Sequence, residues 1–114
     1  MATAVYNFPS VVRGNTFNKR KITFPFDISG ACIVMQFCKR EGLPMVFEWK
    51  TADNTLEIIS ATEMNMTERT LTSAPLAYVY DLVITFLDGT VFTYFKGTLE
   101  ITQNTSNGLS LIHI

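Results

Sequence analysis

The sequence is short of the residues that most often do chemistry. It holds one histidine, His113, and a lone imidazole cannot build a histidine-rich metal site. Its two cysteines, Cys32 and Cys38, fall within one predicted strand. At about 3.3 Å per residue they stand roughly 20 Å apart, and a disulfide needs Cα atoms within about 7 Å. They read as unbridged and as small buried apolar side chains, and no spacing pairs either of them with His113. No phosphate-binding glycine loop, nucleophile elbow or zinc-protease motif occurs. The carboxylates are scattered, and Asp27, Asp53 and Asp88 sit in turn-like contexts that explain them without catalysis. No enzyme and no cofactor is expected.

Charge of either sign is also scarce. Nine Lys+Arg against ten Asp+Glu leave a net charge of −1. A nucleic-acid binder normally carries a basic surplus, and an anionic membrane surface would want one too. The cluster Arg13, Lys19, Arg20, Lys21 lies beside Phe17 and Phe24, but consecutive Lys-Arg-Lys in a strand points to both faces, as protected edge strands do. No apolar run approaches the roughly 20 residues that span a bilayer. The opening MATAVYNFPS has no basic region, and Asn7 and Pro9 interrupt its apolar run, so it is not read as a signal peptide. The expectation is a chain made and used without export, with no nucleic acid, membrane or small-molecule substrate as partner.

What is abundant is β-pattern. Hydrophobic residues make up 47% of 114 residues, enough for one domain with a core of its own, and the apolar period is close to two. Strands are predicted over Thr16–Phe26, Ala31–Lys39, Met45–Thr51, Thr55–Ser60 and Glu63–Thr67. Met45, Phe47 and Trp49 would share a buried face. Thr67–Leu76 could hold one helical turn, ended by Pro75. The densest stretch, AYVYDLVITFLDGTVFTYFKG, folds back at Asp88-Gly89, a pair suited to a two-residue type I′ turn.

That turn would set Phe86 opposite Val91, Ile84 opposite Thr93, Leu82 opposite Phe95 and Tyr80 opposite Gly97 on a core face. The other face would pair Thr85 with Phe92, Val83 with Tyr94 and Asp81 with Lys96. It carries Val79, Val83, Leu87, Phe92 and Tyr94, too apolar for free solvation, so the chain itself or a partner should cover it. A separate last strand, Thr98–Gln103, follows, and then a strand-like tail through Leu109, Leu111, Ile112 and Ile114. Seven or eight short strands with turns between them predict an antiparallel, Ig-like β-sandwich. Residues 1–12 and 107–114 read as candidate assembly arms.

Three segments, VVRGNTFNKRKITF, ISGACIVMQFCKR and YVYDLVITFLDGTVFTYFKGTLEITQNTS, carry a resemblance. Arg13-Gly14-Asn15-Thr16, then Ser29-Gly30-Ala31 with Ile33, Met35 and Gln36, then Tyr78, Tyr80, Asp81 and Leu82, Asp88-Gly89, and Gly97 with Ile101 follow one order of motifs. In that order the chain resembles small β-sandwich virion proteins of tailed bacteriophages and prophages, including the N-terminal domain of baseplate upper proteins. The match covers about residues 11–106. It departs at Asn15, where Asp is commoner, and in the Met-rich stretch from Met64 to Leu71.

The resemblance implies a non-enzymatic virion structural or adaptor protein of the tail, baseplate or fibre anchor. It would be made in the host's bacterial cytoplasm and reside in the virion, and its partners would be other virion proteins or further copies of itself. An Ig-like module recognising a cell-surface protein or carbohydrate stays open, as does a capsid decoration or head-fibre protein. On this reading the interface holds Val79, Val83, Leu87, Phe92, Tyr94, Leu109, Leu111, Ile112 and Ile114. Deleting Gly108–Ile114 should leave the fold intact and weaken assembly.

Overall fold

In the computed structural model, residues 4–103 are described. They form eleven strands: β1 Ala4–Val5, β2 Val11–Val12, β3 Thr16–Phe17, β4 Arg20–Thr23, β5 Cys32–Cys38, β6 Met45–Lys50, β7 Leu56–Ile58, β8 Glu63–Met66, β9 Arg69–Thr70, β10 Leu76–Thr85 and β11 Val91–Thr102. One short 3-10 turn spans Thr51–Asp53. A six-stranded sheet runs β1-β11-β10-β5-β6, with β2 also on β11, and smaller sheets pair β3-β9 and β4-β8-β7. The protein is all-β, and the sheets face one another across a shared core, an arrangement compatible with a β-sandwich.

The core follows the alternation of the strands. Ile33, Met35 and Phe37 of β5 are buried, as are Tyr78, Tyr80, Leu82 and Ile84 of β10 and Phe95, Leu99 and Ile101 of β11. Phe17, Leu56, Met64, Met66 and Leu71 meet them from the smaller sheets. Trp49 joins the layers. Its Nε1–H donates to the Thr67 carbonyl at 2.9 Å, its ring lies 5.2 Å from that of Phe17, and the Arg69 guanidinium sits 4.3 Å above it.

Several expectations change. The strand count is eleven among the described residues, not seven or eight. The predicted strand Thr16–Phe26 is two, β3 and β4, broken at Asn18-Lys19. β4 is an edge strand of its sheet, as its Lys-Arg-Lys run suggested. Thr67–Leu76 holds no helical turn. Arg69–Thr70 is strand, with Leu71 buried, because an extended chain delivers Arg69 to Trp49 and Leu71 to the core. The β-branched Thr67, Thr70 and Thr72 also disfavour a helix. The predicted last strand is not separate, since β11 continues to Thr102. Met45 leaves the core face: the register slips between Phe37 and Cys38, so Met45 opposes Cys38 and is exposed.

The two-residue turn is replaced by a three-residue loop. The Phe86 N–H donates to the Thr90 carbonyl at 2.8 Å and the Gly89 N–H to the Phe86 carbonyl at 2.9 Å, and Gly89 takes φ +89°. This is the type I turn closed by a left-handed residue. It moves the pairing by one, to Thr85–Val91, Ile84–Phe92 and Val83–Thr93. A bulge at Tyr94 absorbs the shift, and Leu82–Phe95, Asp81–Lys96 and Tyr80–Gly97 pair as predicted.

The N-terminal segment runs along the chain's own sheet. β1 and β2 both pair β11 in parallel, so the sheet is not purely antiparallel. Between them the Tyr6 N–H donates to the Lys96 carbonyl and the Phe8 N–H to the Thr98 carbonyl, at 2.8 and 2.9 Å. Asn7 Oδ1 accepts the Thr98 N–H at 3.1 Å, standing in for a backbone acceptor.

Candidate assembly interface

The six-stranded sheet has one face in the core and one outside. On the outer face the register sets three full rows across four strands. They are Thr98–Val79–Cys38–Met45, then Lys96–Asp81–Gln36–Glu48, then Thr93–Val83–Val34–Lys50. A partial row, Val91–Thr85–Cys32, follows. Val79, Val83, Val34 and Cys38 are half-buried by their neighbours. The middle row is polar. Gln36 Nε2–H donates to Glu48 Oε1 at 3.3 Å, and Glu48 pairs with Lys50 at 2.9 Å. The Lys50 ammonium, hydrogen-bonded to it, holds the Glu48 carboxyl below its ordinary range.

A shallow concavity of about 580 Å³ opens over the first two rows, with Val5 and Asn7 on one side and Glu41-Gly42 on the other. A second, of about 340 Å³, lies between β1 and β4, lined by Tyr6, Phe8, Arg20, Ile22, Tyr94 and Phe95 among others. Arg20 stands over both Phe8 and Phe17, 5.4 and 5.2 Å from the ring centres.

The structure divides the residues predicted to form the interface. Val79 and Val83 lie on the outer face. Leu87 sits at the hairpin tip, 81% exposed. Phe92 and Tyr94 do not share that face. The bulge turns Phe92 opposite Ile84, and both rings pack on Phe26, at 6.2 and 5.2 Å. Tyr94 also meets Phe24 at 5.2 Å. The chain itself therefore covers those two. Leu109, Leu111, Ile112 and Ile114 lie outside the described residues, as does His113.

Sequence reasoning missed Val34, Gln36, Cys38 and Glu48 as parts of this surface. The period-two alternation of β5 already held the signal, since Cys32, Val34, Gln36 and Cys38 alternate with Ile33, Met35 and Phe37. The cysteines are unbridged as expected, but Cys32 is exposed and Cys38 half-buried. The reading of both as buried is corrected, because they point away from the core. Among the described residues, no three His, Cys, Asp or Glu side chains gather as metal ligands.

No family model matches this chain, and no curated protein does. The motifs that carry the sequence resemblance can be placed in the fold. Tyr78, Tyr80 and Leu82 are core residues of β10, and Ser29-Gly30-Ala31 leads into β5. Gly97 is where the N-terminal backbone crosses the sheet, and a Cβ there would fall 1.8 Å from the Tyr6 carbonyl oxygen.

Proposed function

We propose that this chain is a non-enzymatic structural or adaptor protein of a tailed-phage virion, an Ig-like sandwich that acts by packing against other proteins. One observation carries the reading: no strand among the described residues covers the outer face of the six-stranded sheet, with half-buried Val34, Cys38, Val79 and Val83 around a polar row. Antiparallel sheets tolerate one solvated face when that face is polar. Apolar rows on such a face fit a surface that a neighbour covers. The order of motifs supplies the phage setting, and the sheet supplies the means of attachment. Trp49 is fully buried and cannot stack on a sugar, which counts against a carbohydrate-binding module.

The test is to purify particles from the source phage or induced prophage and measure this chain in them by peptide mass spectrometry. It should appear at a fixed ratio to a major virion protein and stay with the particles through a density gradient. Its absence from intact particles, with the protein present in the lysate, overturns the reading.

A further inference from the structure

The polar row has an order of charge that fits a second copy of itself. Read across the strands it runs Lys96, Asp81, Gln36, Glu48, with a cation at one end and, at the other, a carboxylate that Lys50 of the next row already pairs on one oxygen. A two-fold axis lying along the strands, between β10 and β5, reverses every row. Lys96 then faces Glu48 of the second copy, and Asp81 faces Gln36, a carboxylate against an amide donor. In the flanking rows Val79 faces Cys38 and Val83 faces Val34, apolar against apolar. Each contact occurs twice, as an isologous interface requires. Asp81 and Lys96, opposite each other on neighbouring strands and both exposed, are left oriented toward that partner.

We propose that the outer face of the six-stranded sheet is a homodimer interface, with the Lys96–Asp81–Gln36–Glu48 row of one copy laid antiparallel on the same row of the other. This deepens the assembly reading above by naming the partner of the same face. Stacked sheets cross at about 30°. The central valines therefore align best, while the corner pair, Lys96 and Glu48, needs the long side chains it has. Strands about 4.8 Å apart and rows about 6.7 Å apart give a patch of roughly 400–500 Å² per copy. A stable interface buries about 800 Å² per partner. The dimer is therefore weak by itself and would be reinforced wherever other contacts hold two copies together.

The experiment is light scattering and sedimentation equilibrium on the full chain, across concentration and salt. The wild type should associate reversibly, and Lys96→Glu or Glu48→Lys should each weaken association at least about tenfold. An equimolar mixture of these two variants should associate again, because the carboxylates of one then meet the ammonium groups of the other at both corners. No rearrangement within one chain produces that rescue. Val83→Glu, on the outer face and away from the core, should also abolish association and serves if Glu48→Lys disturbs Lys50. Circular dichroism checks that each variant is folded.

A wild type that stays monomeric to the highest soluble concentration overturns the proposal. So does association that Lys96→Glu and Val83→Glu leave unchanged, or a mixture of folded variants that stays monomeric. A monomer that is nevertheless found in purified particles would sink the dimer and leave the virion reading standing. A dimer absent from particles would do the reverse.

Discussion

At Gly97 the backbone of the N-terminal segment passes where a side chain would be. The Tyr80 hydroxyl donates to the same Tyr6 carbonyl at 2.8 Å, and burial pushes the Tyr80 phenol well above its ordinary pKa. Gly97→Ala must push that carbonyl away. We expect a loss of about 1–3 kcal/mol, typical of overpacking, with faster amide exchange at Tyr6 and Phe8. Unchanged exchange would mean that the segment is seated by something else. Three aspartates act alike. Asp27, Asp53 and Asp88 accept the N–H two residues on, from Ser29, Thr55 and Thr90, at 2.8, 3.0 and 2.9 Å. The Ser29 and Thr55 hydroxyls, then these N–H bonds, hold the Asp27 and Asp53 carboxyls below their ordinary range, and the Thr90 N–H, then its hydroxyl, does so for Asp88. Depressed folded pKa values give stability that is present above the unfolded value and lost as pH falls through the folded one. The melting temperature should be flat above about pH 5 and fall below about pH 4, and Asp53→Asn should shrink that fall.

Among the elements, the β10–β11 hairpin depends on its loop. Gly89 at φ +89° predicts that Gly89→Ala costs about 1–2 kcal/mol, the penalty of a left-handed Cβ. Chemical denaturation would read it as a lower midpoint at unchanged slope. The loop also sets the bulge at Tyr94, and the bulge decides which aromatic rings the chain covers. The pairing of β6 with its opposite layer rests on Trp49 and Arg69. The guanidinium is partly buried, which lowers its pKa, and it stays cationic. Arg69→Met keeps the length and removes the charge over the indole. A loss of about 1 kcal/mol is expected for a partly buried cation–π contact, with a change in tryptophan emission. The surface ion pair Lys21–Glu63, at 3.0 Å and half exposed, should contribute far less.

For the whole molecule, β1 and β2 cover one edge of the main sheet. Removing residues 1–10 strips β1 and the Tyr6 and Phe8 hydrogen bonds from β11, leaves β2 in place, and exposes N–H and C=O groups of β11 around Lys96 and Thr98. Such an edge invites pairing with other chains. The truncated chain should melt lower and aggregate, whereas a truncation that leaves melting and solubility unchanged would make the segment a removable arm. The two edits, truncation at this edge and charge reversal on the outer face, separate stability from assembly.

The sequence by itself determined the strand class, the alternation of β5, the core face of β10, the turn aspartates and the charge-protected edge at β4. Each is a local matter of alternation or turn chemistry, written in consecutive residues. Only the tertiary structure decided the hairpin register beyond Leu82, the parallel seat of residues 4–12, the extended path through Arg69 and the rows of the outer face. A bulge costs one residue and turns every later side chain over. A glycine kept for a backbone that crosses from ninety residues earlier leaves no mark in its neighbours. The candidate surface was half legible for the same reason: Val79 and Val83 lie in one strand, but Gln36 and Glu48 join them only when β5 and β6 are laid alongside.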